Sequence, residues 1–131
     1  MSASSAGLHE SPEQLQPETI DRHRAIVSIM EELEAIDWYD QRVDAAGDAQ
    51  LRELLAHNRD EEKEHAAMML EWLRRHDAKL DEHLRTYLFT SGRLMDIEHA
   101  AEQGGAGSAD AIASSTPSPG DGSLGIGSLR K

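Results

Sequence analysis

Apolar residues recur every three or four positions along two long stretches of this 131-residue chain, and each stretch predicts an amphipathic helix. In the first, Ile26, Ile29, Leu33, Ile36 and Val43 keep the spacing of a single helix face. In the second, Leu51, Leu55, Asn58, Glu62, His65, Met69 and Leu73 step by four or three and outline an inward stripe. Between the two, Gly47 supplies a helix-ending residue and Asp48 a cap for the next helix. So tight a connection lays the helices antiparallel. The first helix begins between Ser11 and Pro17. Ser11-Pro12-Glu13-Gln14 offers a cap, a first-turn proline and a Gln three residues after the cap, while Pro17 either kinks that turn or marks the start itself. It should stop near Ala45. The second helix runs to about Arg75, with Arg74, Arg75 and His76 suited to its negative end.

Further on, Asp77 is placed to cap a shorter amphipathic segment containing Leu80, Leu84, Tyr87 and Leu88, and residues 94–101 add a last helical stretch. From Gly104 the composition shifts to Gly, Ser, Ala, Pro and Asp. The expected organisation is a flexible segment over 1–16, a helical domain over 17–102, a disordered Gly/Ser/Pro linker over 103–121 and a terminal peptide over 122–131. Leu124, Ile126 and Leu129 stand in that peptide among glycines and serines. Apolar residues in such a place suit a docking peptide.

The stripe of the second helix is interrupted at its centre by a carboxylate and an imidazole, Glu62 and His65. Burying either without a partner costs several kcal/mol, and a metal ion satisfies both at once. An antiparallel hairpin also acts as a ruler, because residues equidistant from the bend lie at the same height. Glu32 and Glu62 each stand about 22 Å from Gly47 at roughly 1.5 Å per residue, so the two carboxylates are level. Glu32 lies at the edge of the inward stripe, about 40 to 60° from Ile29 and Ile36. One hairpin can therefore aim Glu32, Glu62 and His65 at a common point. Read without the stripe, a Glu-x-x-His on so charged a helix is a weak signal and an ordinary solvated face. Tyr39, seven residues past Glu32 on the same face, reads equally as a site hydroxyl or an interface aromatic. Glu31, Glu34 and Trp38 share another face, and spacing alone makes it a solvated acidic one. His9, His23, His57, His76, His83 and His99 show no ligand spacing and read as surface residues.

Charge and composition narrow the chemistry. A net charge of −12 argues against a nucleic-acid partner and draws divalent cations. The chain has no cysteine, so carboxylate and imidazole are the ligands available. No apolar run approaches the roughly 20 residues of a membrane span, and residues 1–10 carry no signal-peptide core, which gives a cytoplasmic expectation without a membrane partner. With 4% aromatics and 38% hydrophobic residues the core is thin, and a helical hairpin completes it against a second copy. A lone Glu and a Glu-x-x-His are half of the carboxylate-bridged di-metal site of four-helix bundles. A two-fold dimer would supply four Glu and two His, enough to hold two divalent ions nearly neutral. Hard oxygen plus imidazole suits iron or manganese and also admits zinc.

The stretches Arg22-His-Arg-Ala-Ile-Val-Ser-Ile-Met-Glu-Glu-Leu-Glu-Ala-Ile-Asp-Trp-Tyr-Asp-Gln-Arg-Val43, His57-Asn-Arg-Asp-Glu-Glu-Lys-Glu-His-Ala-Ala-Met and Glu71-Trp-Leu-Arg-Arg resemble the encapsulated ferritins, as does the ending Gly122-Ser-Leu-Gly-Ile-Gly-Ser-Leu-Arg130. The resemblance implies an all-α subunit, an antiparallel two-helix hairpin plus a short C-terminal helix, whose dimer rebuilds a ferritin-like four-helix bundle. Five such dimers would close a decameric ring. It implies ferroxidase activity, Fe(II) to Fe(III) with O2, two iron ions per dimer interface, with Glu32, Glu62 and His65 as ligands and Tyr39 beside them. On the same resemblance Glu31 and Glu34, with Trp38 adjacent, collect incoming metal. Leu124, Ile126 and Leu129 belong to an encapsulin-targeting peptide, and iron is stored inside the encapsulin nanocompartment. A different class stays open on the residues alone, a non-catalytic metal-binding or iron-buffering adaptor of the shell.

Overall fold

The computed structural model describes residues 7–104. Among them are four α-helices and one 3₁₀ turn, with no strand, as an all-α reading of the sequence requires. The chain divides into two compact units between Glu82 and His83.

The first unit opens with the 3₁₀ turn, Pro12–Gln14, held by Gln14 N–H on Ser11 O (2.9 Å) and Leu15 N–H on Pro12 O (3.1 Å). Ser11 does not cap a helix there; its hydroxyl donates to the Glu13 carboxylate instead. Pro17 explains why the turn goes no further. It has no N–H to continue a helix begun at Ser11, and it pushes the residue before it out of the helical region, so Gln16 is extended at φ −71°, ψ 148°. The same proline suits the first position of a new helix, where its missing N–H costs nothing. Helix α1 therefore spans Pro17–Ala45.

Helix α1 ends simply. Ala46 donates to Arg42 O (2.9 Å) and turns extended at φ −71°, ψ 133°. Gly47 was expected to end the helix through glycine's conformational freedom, but its φ is not positive and a Cβ there would meet nothing within 4 Å. The stop comes from the extended Ala46 and from the start of α2, Ala49–Arg75. There Asp48 behaves as the sequence indicates: its carboxylate accepts from Leu51 N–H (2.8 Å). Arg52 Nη1 donates to Ala46 O (2.8 Å) and ties the bend across.

Helices α1 and α2 pack along their length as an antiparallel pair. The deepest core lies at the end away from the bend, where Ala25 is 2% and Leu73 7% exposed. Ile29, Ile36, Val43, Leu55 and Met69 are half-buried. Three stripe residues depart from the inward placement expected of them: Ile26 (45%), Leu33 (55%) and Leu51 (48%) are exposed. Periodicity shows which face is apolar, and a single partner helix covers only part of that face.

Helix α2 passes to α3, Ala78–Tyr87, through a joint of charged groups. Arg74 donates to Glu71 through Nε (2.9 Å) and Nη2 (2.8 Å) and reaches Asp81 with Nη1, while Arg75 Nε also donates to Glu71 (2.7 Å). Asp77 caps α3 by accepting from Leu80 N–H (3.0 Å). In the second unit α3 ends at Tyr87, and Phe89 takes a left-handed φ of 62° with its ring almost fully exposed. Thr90 donates its hydroxyl to Tyr87 O (2.7 Å). Helix α4, Leu94–Gln103, follows. The C-terminal part thus holds two short helices. Leu124, Ile126 and Leu129 lie outside the described residues.

Candidate metal centre

Halfway along the hairpin, side chains from both helices converge. Glu32 comes from α1, Glu62 and His65 from α2, and one ligand atom of each lies within 4.8 Å of the others. His65 Nδ1 is 3.4 Å from Glu62 Oε1 and 3.7 Å from Glu32 Oε1. Two features of the sequence cause this. Glu62 and His65 are three residues apart and so share a face of α2. Glu32 stands level with Glu62 because the bend is tight and the helices antiparallel.

The electrostatics mark the trio as a place short of positive charge. Glu32 is raised above the ordinary carboxylate range, first by its hydrogen bond with Glu62 and then by partial burial. Glu62 is lowered, first by the same hydrogen bond. The closeness of the two carboxyls thus favours the proton on Glu32 and the ionised form of Glu62. Their side chains are 23% and 25% exposed, whereas His65 is 45% exposed, so the cluster opens to solvent on its imidazole side. A divalent cation held between Glu32 and Glu62 would balance two ionised carboxylates. Two carboxylates and an imidazole are donors suited to iron, manganese or zinc, and three ligands leave coordination positions free. The group fits a metal. No other set of three or more His, Cys, Asp or Glu side chains among the described residues converges in this way.

The other residues singled out in the sequence have their own surroundings. Tyr39 is half-buried, and its ring faces Arg42, whose guanidinium carbon is 5.3 Å from the ring centroid. The same guanidinium lies 5.9 Å from the exposed Trp38 ring, and Trp38, Gln41, Arg42 and Ala45 line a shallow groove. Glu31 is exposed and Glu34 half-buried, and neither joins the three ligand atoms. His76, read as a surface residue, stacks on Trp72 with ring centroids 3.8 Å apart. Sequence reasoning passed over Arg42, and over Arg59, whose Nη1 donates to Asp40 Oδ1 across the hairpin (3.0 Å). The signal for Arg42 was present in its spacing of three and four from Tyr39 and Trp38.

Comparison with known proteins shows what the chain is similar to. A protein from Rhodospirillum rubrum described as "Encapsulated ferritin-like protein" is 65% identical over 130 residues, covering 99% of this chain and 92% of that protein. A Thermotoga maritima protein described as "Ferritin-like protein" is 50% identical over 96 residues, 73% of this chain and 84% of its own length. Among solved structures, a protein from Nitrosomonas europaea superposes with a TM-score of 0.64 at 57% identity, over 66% of this chain and 96% of that one. The sequence profile described as EncFtn-like matches residues 7–91. On a match of that length and a relative of that identity, the chain belongs to the EncFtn-like family of encapsulated ferritin-like proteins.

Proposed function

We propose that the protein is a ferroxidase, that two copies of the hairpin pair to complete a di-iron site, and that it serves as the cargo of an encapsulin shell. The observation that carries this is the meeting of Glu32, Glu62 and His65 within 4.8 Å on an antiparallel hairpin. The relatives' names, one ferritin-like and one encapsulated ferritin-like, support iron handling and a shell partner.

Ferrous iron is the substrate. The carboxylates of Glu32 and Glu62 bind it through oxygen. The ring nitrogen of His65 supplies a neutral donor from the solvent-facing side. One hairpin presents only three ligands, and its exposed apolar residues Ile26, Leu33, Leu51, Leu54 and Met68 offer a surface for a second copy. Pairing brings four carboxylates and two imidazoles together around two ions, and two ferrous ions supply the electron pair that one dioxygen molecule takes up. The protein's contribution is to hold the ions close and balance their charge.

Glu31 and Glu34, with Trp38 beside them on α1, collect incoming ions in this reading. Tyr39 stands beside the ligands, as in the encapsulated ferritins that the sequence resembles. The ring of five dimers follows from the resemblance to the encapsulated ferritins. The segment 122–131, with Leu124, Ile126 and Leu129, docks in the shell, and the protein works inside that compartment.

Ferrous iron mixed with the protein in air tests the activity. A ferroxidase oxidises many equivalents of iron per dimer, visible as growing ferric absorbance above the protein-free rate. An iron-buffering adaptor binds a fixed number of ions and leaves that rate unchanged.

A further inference from the structure

Below the site, toward the bend, an ion pair joins the two helices. Arg59 Nη1 on α2 donates to Asp40 Oδ1 on α1 at 3.0 Å, and Arg59 Nε donates to Asp60 Oδ1 at 3.1 Å. The Arg59 side chain is 23% exposed, against 54% for Asp40. The two residues are not equidistant from the bend, yet they meet because of the way helical side chains lean. Each Cα–Cβ bond tilts toward its own helix N-terminus. Arg59 therefore reaches toward the bend and Asp40 away from it, and their charged ends meet in between.

Arg59 lies one turn from Glu62 on α2, and Asp40 lies about two turns from Glu32 on α1. We propose that Asp40 and Arg59 form a positioning clasp that sets the register of α1 against α2 and so holds the three ligand side chains in binding geometry. This rests on reading Glu32, Glu62 and His65 as a metal site. Register matters there because a slip of one residue moves a helix about 1.5 Å along its axis and turns it about 100°. Ligand atoms gathered within 4.8 Å leave no room for such a slip. The apolar contacts leave the bend side loosely held: the two buried residues, Ala25 and Leu73, lie beyond the site at the far end, and Leu51 near the bend is exposed. A charged pair with directional hydrogen bonds specifies register where apolar packing does not.

The sign of the effect separates a clasp from a simple field. Acting through charge alone, loss of the Arg59 cation would tighten cation binding and loss of the Asp40 anion would weaken it. A clasp makes both losses weaken binding, and makes the double loss no worse than either. The test is a cobalt(II) titration of wild type, Asp40→Asn, Arg59→Gln, the double variant and the swapped pair Asp40→Arg with Arg59→Asp. It is read by calorimetry and by the cobalt visible spectrum, at a temperature where circular dichroism shows every chain folded. The expected result is a Kd about three-fold weaker in each single variant and in the double. The single variants also show an altered cobalt spectrum, and the swap returns both readouts toward wild type. Opposite signs for the two singles, additive losses, unchanged values or a swap as weak as the singles would overturn the clasp. A wild-type protein that binds no cobalt would overturn the metal reading itself, and the clasp with it.

Discussion

Glu32 and Glu62 stand face to face across the hairpin, one carboxyl raised and the other lowered by their contact, although the whole bend of the chain separates them in sequence. A cation between them would supply the positive charge that the pair lacks. A carboxyl pair with an imidazole beside it, on a helix face that is otherwise apolar, is costly as structure and economical as a binding site.

If these side chains are the ligands, replacing each removes activity without removing the fold. Glu32→Gln, Glu62→Gln and His65→Ala should each slow ferrous oxidation by no less than the roughly 10- to 100-fold typical of changes outside the ligand set. Initial rates of ferric absorbance in air, alongside circular dichroism, give the answer. Near-wild-type rates in all three would remove the site.

Metal binding should also release protons. Glu32 is held protonated to higher pH than an ordinary carboxyl, and within that raised range a cation competes with its proton. Affinity for manganese(II) should therefore fall as pH drops through the raised Glu32 range and recover above it. Titrations in buffers of different ionisation enthalpy count the protons directly. Glu32→Gln should release fewer.

A separate pH effect belongs to the joint between α2 and α3. Glu71 is lowered from 4.5 to about 2, first by its hydrogen bonds from Arg74 and then by those from Arg75. The folded state therefore favours the ionised form. The stability it contributes is present above about pH 4.5 and is lost as pH falls toward 2. Glu71 is 42% exposed, so solvent screens the effect and its size is small. Thermal melts between pH 5 and 2 should show a shallower decline for Glu71→Gln than for wild type.

Removing residues 122–131 should leave oxidation in free solution intact and abolish capture by the encapsulin shell. Co-expression with the shell protein followed by analysis of purified particles shows the outcome. Full loading of the truncated chain would assign the peptide no role in docking.

The hairpin, its bend, the caps at Asp48 and Asp77 and the meeting of Glu32 with Glu62 and His65 were all legible in the residue pattern. They depend on helix periodicity and on counting from one turn, which are local and regular. Other features depend on packing that no one-dimensional pattern carries. The exposure of Ile26 and Leu33 depends on how much of an apolar face one neighbour covers. The Asp40–Arg59 pair depends on the lean of two side chains on different helices. Pro17 settles the start of α1 where the pattern offered two positions, because the residue before a proline resists helix. Phe89 takes a left-handed conformation that an aromatic residue does not advertise.

The central claim is that two hairpins enclose a pair of iron ions between them. Crystals grown anaerobically with ferrous salt, with diffraction collected on either side of the iron absorption edge, test it most directly. The account predicts two anomalous peaks at the interface between two copies, each ligated by Glu32, Glu62 and His65 side chains. Iron bound elsewhere, or these three side chains turned to solvent with no anomalous density between the copies, would contradict it.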